Sequence, residues 1–408
     1  MATQKPDRFD QIDWDDMQRS GWIDFSLNGK LTLVTTVPLA VLFLYDWQFV
    51  GDREVVFEEL GNALGLSSVF ETVGLTFGLT PVDYGFILAL LLFSFYLVLP
   101  LYQNPRMTKY YWKEFKRNRP AVLSLIWLII VFAGGIIGPA FVARPELDVL
   151  AGYQPPAFYH INEANVATCL GEVSNGQCHG TWQYPLGTTP GGKDIFGMLV
   201  YGMLITAKIA FVTTTIVAIL GISMGTVSAY SGGWIDEVLM RFTDIVLSFP
   251  TLLFFLLILY IYGAGLGMFI LVFSIFGWGG TARYVRSKAL SVSEEEFIKA
   301  SKISGASRYR VVRRHVVPNT ASSIITQLTL LIPAFLLAEA QLSFLGIGEG
   351  SFESWGQLIA AGRDALAFAP WIVLVPGTAL FLTILALNFL GDALLDALNP
   401  EAEAEADR

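Results

Sequence analysis

The stretch from Glu294 to Asn319 reads EEEFIKASKISGASRYRVVRRHVVPN and lies between two apolar runs, at about Gly265–Ala282 and Ala321–Leu345. A bilayer core takes roughly 20 apolar residues as a helix, and both runs are long enough to cross it. The polar stretch is therefore a loop between two membrane helices. This arrangement predicts a polytopic, all-α membrane protein.

The loop itself predicts two helices joined by a turn. Three acidic residues suit the start of the first helix, and Ser293 with Glu296 has the spacing of a capping box. Gly305 permits a left-handed turn that ends this helix. A second, basic helix follows, and its apolar side is formed by Val311, Val312 and Val316. Pro318 starts the next membrane helix, where its missing N–H costs nothing.

Further apolar runs bring the number of candidate membrane helices to eight. In chain order they lie at about Leu31–Tyr45, Tyr84–Tyr102, Pro120–Val142, Met198–Ala229, Ile245–Tyr262, Gly265–Ala282, Ala321–Leu345 and Trp371–Leu390.

The chain is 54% hydrophobic and 15% charged, whereas a soluble domain carries about 25% charged residues. The net charge of −9 excludes a basic nucleic-acid binder.

Lysine and arginine residues predict the orientation, because they are enriched on the cytoplasmic side of a membrane. They concentrate in two loops, at Arg106–Arg119 and Arg283–Arg314, which we place in the cytoplasm. The segments Asp46–Asp83 and Arg144–Asp194 contain few basic residues and are predicted to lie outside. Both termini are then cytoplasmic.

Two cysteines, Cys169 and Cys178, lie in the second external segment. Outside the cell, thiols nine positions apart could close a disulfide across the glycines between them. His160 and His179 are nearby, so a metal site is an alternative, although the spacing matches no common zinc pattern. A disulfide is the favoured interpretation, and free thiols also stay open.

Two charged residues fall within predicted membrane helices. Lys208 and Glu339 both lie within about three turns of a predicted external end, where a long side chain can reach the interface. We expect Lys208 to do so. Glu339 either does the same or serves a pore or gate, because intramembrane charges are often functional.

The segment Gly187–Lys193 reads GTTPGGK and resembles the start of a phosphate-binding loop. Asp194 follows where a Ser or Thr should hold magnesium, and no strand precedes the segment. We therefore expect no ATP, metal or other cofactor to be bound by this chain.

The cytoplasmic loop has two interpretations from its residues alone. A basic amphipathic hairpin could contact anionic lipid. Alternatively, the loop could dock a cytoplasmic partner, since small residues around the turn leave a surface into which another protein fits. An ion-gradient-driven secondary transporter and a lipid-binding membrane scaffold are the competing functions.

The spacing of Lys299-Ala300-Ser301, Gly305 and His315–Pro318 resembles the EAA loop of binding-protein-dependent ABC importers. Lys299 replaces the Glu of that motif and Ser301 replaces its second Ala. The sequence RHVVPN at Arg314–Asn319 resembles the dipeptide/oligopeptide branch, and the C-type permease fits best. Similar segments of that family occur at Pro185–Gly202, Gly232–Leu253, Ala338–Gly348, Ser354–Asp364 and Leu387–Pro400.

The resemblance covers about residues 109 to 400 and implies a six-helix type I importer core with about two additional N-terminal helices. The apolar runs and the charge distribution add a cytoplasmic segment at 1–30, an extra helix pair with an acidic external loop at 31–105 and an acidic cytoplasmic tail at 401–408, so that the permease domain takes 106–400. Within the permease domain, 294–319 is the coupling loop and 144–194 an expanded external loop.

The resemblance also implies partners and a mechanism. A B-type sister permease would complete the pore, two ATPase subunits would bind ATP and Mg, and an external solute-binding protein would deliver di- or oligopeptides, nickel or oligosaccharides. The chain itself would be no enzyme. The implied coupling residues are Glu296, Lys299, Ala300, Ser301, Gly305, His315, Pro318 and Asn319.

Overall fold

The computed structural model describes residues 27–49, 79–263, 265–348 and 352–398. Most of the predicted N-terminal segment and acidic external loop, and the whole acidic tail at 401–408, lie outside the described residues. The chain divides into two units: the first comprises residues 1–80 and 87–105, and the second comprises residues 81–86 and 106–408.

The described residues are mainly helical. In chain order the helices are α1 (Leu27–Phe49), α2 (Pro81–Phe93), α3 (Leu99–Gln103), α4 (Pro105–Phe115), α5 (Arg119–Ile137), α6 (Ile195–Lys208), α7 (Thr214–Ser231), α8 (Gly233–Ser248), α9 (Thr251–Tyr262), α10 (Leu266–Ser293), α11 (Glu296–Ile303), α12 (Arg308–Val311), α13 (Val317–Phe344), α14 (Trp355–Gly362) and α15 (Trp371–Leu398). Turns of π-helix at Ser94–Val98, Ile209–Thr213 and Val312–Val316 join α2 to α3, α6 to α7 and α12 to α13.

Within the described residues, seven helical segments are long and apolar enough to cross a membrane, and they agree with seven of the eight predicted runs. The prediction of one continuous helix at Ile245–Tyr262 is wrong. Helices α8 and α9 meet at Phe249–Pro250 and are bent by 73°. Proline restricts the residue before it to extended backbone, and Phe249 has φ −73° and ψ 137°. The pair is an eighth span only if both halves are counted together.

The second unit contains a closely packed pair of membrane helices, α7 and α10. Gly221 and Gly225 lie one turn apart on α7, where small residues let two backbones approach. A Cβ atom at Gly225 would lie 2.4 Å from the carbonyl oxygen of Ala282, and one at Gly221 would lie 2.7 Å from the methyl group of Thr281. The packing of this pair therefore depends on glycine at both positions.

The segment between α5 and α6, predicted to be external, contains a small antiparallel sheet. Its strands are β1 (His160–Asn162), β2 (Val173–Ser174) and β3 (Gln177–His179), with β3 in the centre. A disulfide joins Cys169 to Cys178, whose Cα atoms are 5.7 Å apart, and so ties the preceding loop to β3. His160 and His179 face each other across β1 and β3, and His179 Nε2 lies 2.8 Å from the Ser174 hydroxyl.

Candidate functional site on the cytoplasmic loop

Helix α11 is the first half of the predicted helical pair, and it begins later than the capping box predicts. The preceding span α10 continues to Ser293, whose hydroxyl donates a hydrogen bond to the carbonyl oxygen of Ala289 at 2.7 Å. Ser293 is thus the last residue of a membrane helix, and Glu295 takes the N-cap position of α11. The predicted Ser293–Glu296 capping box is therefore wrong, because the span extends beyond its apolar run.

The turn at the end of α11 has the geometry that Gly305 was expected to allow. Gly305 has φ +81°, a left-handed conformation that favours glycine. The Ala306 N–H donates to the Ser301 carbonyl at 3.2 Å and the Gly305 N–H to that of Lys302 at 3.1 Å. These two bonds form a Schellman motif, which fixes the direction in which the chain leaves the helix.

One apolar side chain attaches α11 to the ends of the membrane spans. Ile298 is completely buried against Ala289 of α10, Val311 of α12 and Val316 of the π-turn. Partly buried neighbours complete this cluster: Ala229, Tyr230, Val292 and Ala306. An isolated helix of eight residues is unstable in water, so the order of α11 comes from this packing.

The other side of α11 is open to solvent. Glu296, Lys299 and Ala300 are exposed, and the 3.0 Å ion pair between Lys299 and Glu296 is too exposed to contribute much to stability. Two apolar side chains are exposed beside them, with Phe297 at 44% and Ile303 at 86%. Exposed apolar side chains on a charged helix are typical of a surface that another protein covers.

The second half of the loop is not a separate helix. Helix α12, the π-turn and α13 form one run from Tyr309 to Phe344, within which α13 begins at Val317 and has Pro318 in its first turn, as predicted. Proline cannot donate to the carbonyl four residues earlier, and its ring crowds that carbonyl. The wider π-turn directly before Pro318 accommodates both effects without ending the helix. Asn319 donates from its side-chain amide to the His315 carbonyl at 2.6 Å.

The predicted coupling residues thus divide into two groups. Glu296, Lys299, Ala300 and Gly305 are exposed around α11, with Ser301 half-buried at its base. His315 lies under α11, and its ring centre is 6.3 Å from that of Phe297. Pro318 and Asn319 are exposed at the start of α13, so they belong to the span.

A second set of contacts joins the inner ends of α7, α8 and α10. Arg286 on α10 donates two hydrogen bonds to the Asp236 carboxylate on α8, at 2.7 and 2.6 Å. The Ser228 hydroxyl on α7 donates to the same carboxylate, and Arg283 pairs with Asp244. Bidentate pairs of this kind fix orientation as well as distance. Helix α10, on which Ile298 packs, is therefore also joined to α7 and α8.

The sequence identified neither Ile298 nor the Asp236–Arg286 pair. Ile298 is one of several apolar residues in a mainly polar stretch, and its spacing to Val311 and Val316 carries no periodic signal. Asp236 and Arg286 belong to different helices. The sequence feature that could have indicated this pair is their opposite charge, since each lies next to an apolar run.

Glu339 lies near the other end of α13, away from the loop. It is 5% exposed, and the hydroxyls of Ser343 and Ser354 each donate to its carboxylate at 2.6 Å. Gln357 donates to the Ser343 hydroxyl at 3.2 Å. Glu339 is thus buried in a hydrogen-bonded cluster that joins α13 to α14, and it does not extend to the interface.

Lys208 forms an ion pair within the fold. Its ammonium group lies 2.6 Å from the carboxylate of Asp83, in the first turn of α2, and the two side chains are only 13% and 20% exposed. That Lys208 extends to the interface stays a prediction, and the ion pair supplies a counter-charge that the sequence did not identify. The start of α2 packs closely here, since Phe86 is buried and a Cβ atom at Gly85 would lie 3.2 Å from Val212.

The second unit matches two known protein families. "Binding-protein-dependent transport system inner membrane component" matches residues 217–403, which include the whole loop. "N-terminal TM domain of oligopeptide transport permease C" matches residues 106–156, which include α5 and nearly all of α4. The resemblance to C-type permeases is thereby confirmed.

Individual relatives agree over most of their length. The dipeptide transport system permease protein DppC of Bacillus subtilis is 33% identical over 294 residues, 71% of this chain and 84% of the relative. DppC of Alkalihalophilus pseudofirmus is 37% identical over 298 residues, 72% of this chain and 89% of the relative. Among solved structures, the MetNI methionine ABC transporter, in an inward-facing conformation, is similar at 18% identity and a TM-score of 0.43, covering 49% of this chain and 95% of that chain. On the sequence matches, this chain belongs to the binding-protein-dependent transport system inner membrane component family.

Proposed function

We propose that this chain is the C-type permease of an importer for dipeptides or oligopeptides. Family membership and the apolar helices make it a multi-pass inner-membrane permease of the ABC importer class. The names of its relatives support a peptide as the solute. The competing functions, an ion-driven transporter and a lipid-binding scaffold, have no such support.

The exposed face of α11 is the proposed contact with the partner ATPases. The observation that carries this proposal is the combination of a buried Ile298 beneath the helix and exposed Phe297 and Ile303 on it. A helix attached firmly to two spans, with an uncovered apolar surface, can transmit a displacement of a bound partner. Contacts confined to lipid headgroups would need no such firm attachment.

The remaining parts of the proposal follow from this role. Two ATPase subunits bind ATP and Mg²⁺ in the cytoplasm, while this chain binds neither and is no enzyme. A B-type sister permease completes the pore, and an external solute-binding protein delivers the peptide. The termini lie in the cytoplasm, because the two most basic loops do. Glu339 stands as the candidate pore or gate residue.

Replacing Gly305 with valine tests the coupling role. A β-branched residue is strained at φ +81°, and the Schellman turn that orients α11 would be lost. A Cβ atom there would meet no described atom within 4 Å, so the damage is confined to backbone conformation. We expect normal membrane insertion, at least tenfold slower uptake of radiolabelled dipeptide, and weaker co-purification of the ATPases (about a tenfold effect corresponds to 1.4 kcal/mol).

Gly263 offers a matched control for this experiment. It has φ +82° and equally open surroundings, but it lies between α9 and α10, away from the loop. Gly263→Val should carry the same backbone strain and retain both uptake and ATPase binding. Equal uptake by the Gly305→Val and wild-type importers would contradict the coupling role. Uptake of nickel or an oligosaccharide, with no uptake of peptide, would contradict the proposed solute.

A further inference from the structure

Helix α4 has very short connections to two membrane spans. Asn104 alone separates it from the span Pro81–Gln103, and Lys116–Asn118 separate it from the span that begins at Arg119. Its 11 residues form a helix about 16 Å long. Because so few residues join its ends to spans, and because its loop is the predicted cytoplasmic one, we place α4 at the level of the inner membrane surface.

One side chain at the end of α4 defines its inward side. Phe115 is buried against Ala121 of α5 and Ala393 of α15, and it stacks on Trp112 with ring centres 5.7 Å apart. The helix is therefore attached where α5 begins and α15 ends. The flanks beside Phe115 are uncovered, since Met107, Tyr110 and Trp112 are 52%, 46% and 41% exposed. Tyrosine and tryptophan with apolar bodies and polar edges are typical of membrane interfaces.

The face of α4 opposite Phe115 is basic. Arg106, Lys109 and Lys113 follow one another at spacings of three and four residues, which places them on one side of the helix, and all three are exposed. Lys116 extends this row and lies 5.1 Å from the centre of the Trp112 ring. From Pro105 to Arg119 the chain has six basic residues and one acidic residue, although its net charge is −9.

We propose that α4 binds the headgroups of anionic phospholipids in the inner leaflet. The exposed aromatic flanks match the boundary between headgroups and acyl chains, and the lysine row matches headgroups whose phosphate gives them a net negative charge. The site is distinct from α11, whose exposed apolar side chains include no Trp or Tyr. A cytoplasmic protein is a poorer match for α4, because the short connections keep its flanks at the level of the bilayer.

Counting bound lipids tests this proposal. The purified full-length chain is titrated with phosphatidylglycerol, or with phosphatidylcholine of the same acyl chains, and bound lipids are counted by native mass spectrometry. Each lysine near an anionic surface is worth about a fivefold change in affinity. For Lys109→Gln/Lys113→Gln/Lys116→Gln we expect the preference for phosphatidylglycerol to fall by at least about tenfold. The matched variant Lys109→Arg/Lys113→Arg/Lys116→Arg keeps the charge and should keep the preference.

Two further results separate lipid binding from misfolding and from protein docking. All three lysines are exposed, so the glutamine variant should elute from a sizing column as the wild type does. Trp112→Ala should weaken the binding of both lipids, because it removes an interfacial side chain and no charge. An unchanged phosphatidylglycerol preference in the glutamine variant would overturn the proposal. A glutamine variant that no longer co-purifies with the ATPases but still binds both lipids as the wild type does would also overturn the proposal, because α4 would then be a protein-docking helix.

Discussion

Replacing Ile298 with alanine should detach α11 from the membrane spans without unfolding them. The side chain is completely buried among Ala289, Val311 and Val316. Truncating a buried isoleucine to alanine costs roughly 2–5 kcal/mol. The cost falls on the loop alone, because Ile298 packs only on the inner ends of the described spans. The opening equilibrium of α11 should therefore rise between about 30-fold and a few thousand-fold.

Hydrogen–deuterium exchange of the purified chain measures this opening directly. The amides of residues 296–303 should lose protection by that factor, whereas the amides of α10 and α13 should not change. Ile303→Ala is the control, since it removes the same atoms from the same helix at a side chain that is 86% exposed. It should leave exchange within the range of an ordinary surface substitution, about ±0.5 kcal/mol, and should weaken binding of the ATPases instead.

The two isoleucine variants separate attachment from docking. Wild-type protection of residues 296–303 in Ile298→Ala would refute the reasoning, because the order of a helix of eight residues would then have another source. Unchanged ATPase binding by Ile303→Ala would show that Ile303, the most exposed apolar side chain of α11, does not contact the ATPases. That result would not affect the role of Ile298 in attaching α11. Equal loss of protection in both variants would mean that burial does not distinguish the two faces.

Further predictions concern a partly exposed ion pair and a buried hydrogen-bonded cluster. Asp83→Asn should destabilise the protein by roughly 3 kcal/mol, because the low-exposure Lys208 ammonium loses its carboxylate; adding Lys208→Met should restore most of the thermal unfolding temperature measured in detergent, and a double variant no more stable than Asp83→Asn would contradict the pairing. Glu339→Leu should cost about 2–5 kcal/mol, since two buried hydroxyls lose their acceptor. Glu339→Gln keeps an acceptor oxygen and should lose less than half as much; equal losses in the same unfolding assay would mean that volume rather than hydrogen bonding determines the effect.

The sequence predicted the membrane helices well, because length and apolar content decide which segments can cross a bilayer. It also predicted the left-handed turn at Gly305, where one residue type satisfies one backbone conformation. The failures occurred where one proline or one helix end decides the outcome. Pro250 breaks a span that its apolar residues would continue, whereas Pro318 is absorbed by a π-turn and breaks nothing.

The pairings within the site could not be predicted, because they join residues distant in sequence. Lys208 in isolation is a charge that must reach water, and only the folded chain brings Asp83 beside it. Glu339 and Ser354 belong to two segments that resemble the family, but nothing in the sequence indicates that the two segments are in contact. Ile298 and Ile303 are the same residue type in the same short helix, yet Ile298 is fully buried and Ile303 is almost fully exposed.

Helix α13 connects two attachments of opposite chemistry. At the end that begins at Val317, the preceding residues Val311 and Val316 contact Ile298 of α11, and this apolar contact tolerates small rotations because hydrophobic burial is not directional. Near the other end of α13, Glu339 accepts hydrogen bonds from Ser343 and Ser354, and these require fixed angles. The 28 residues between the ends span about 42 Å as a helix. A displacement of α11 that moved α13 along its axis would thus strain the Glu339 cluster before it strained the Ile298 cluster. If Glu339 serves a gate, the directional contact is the one that would release α14.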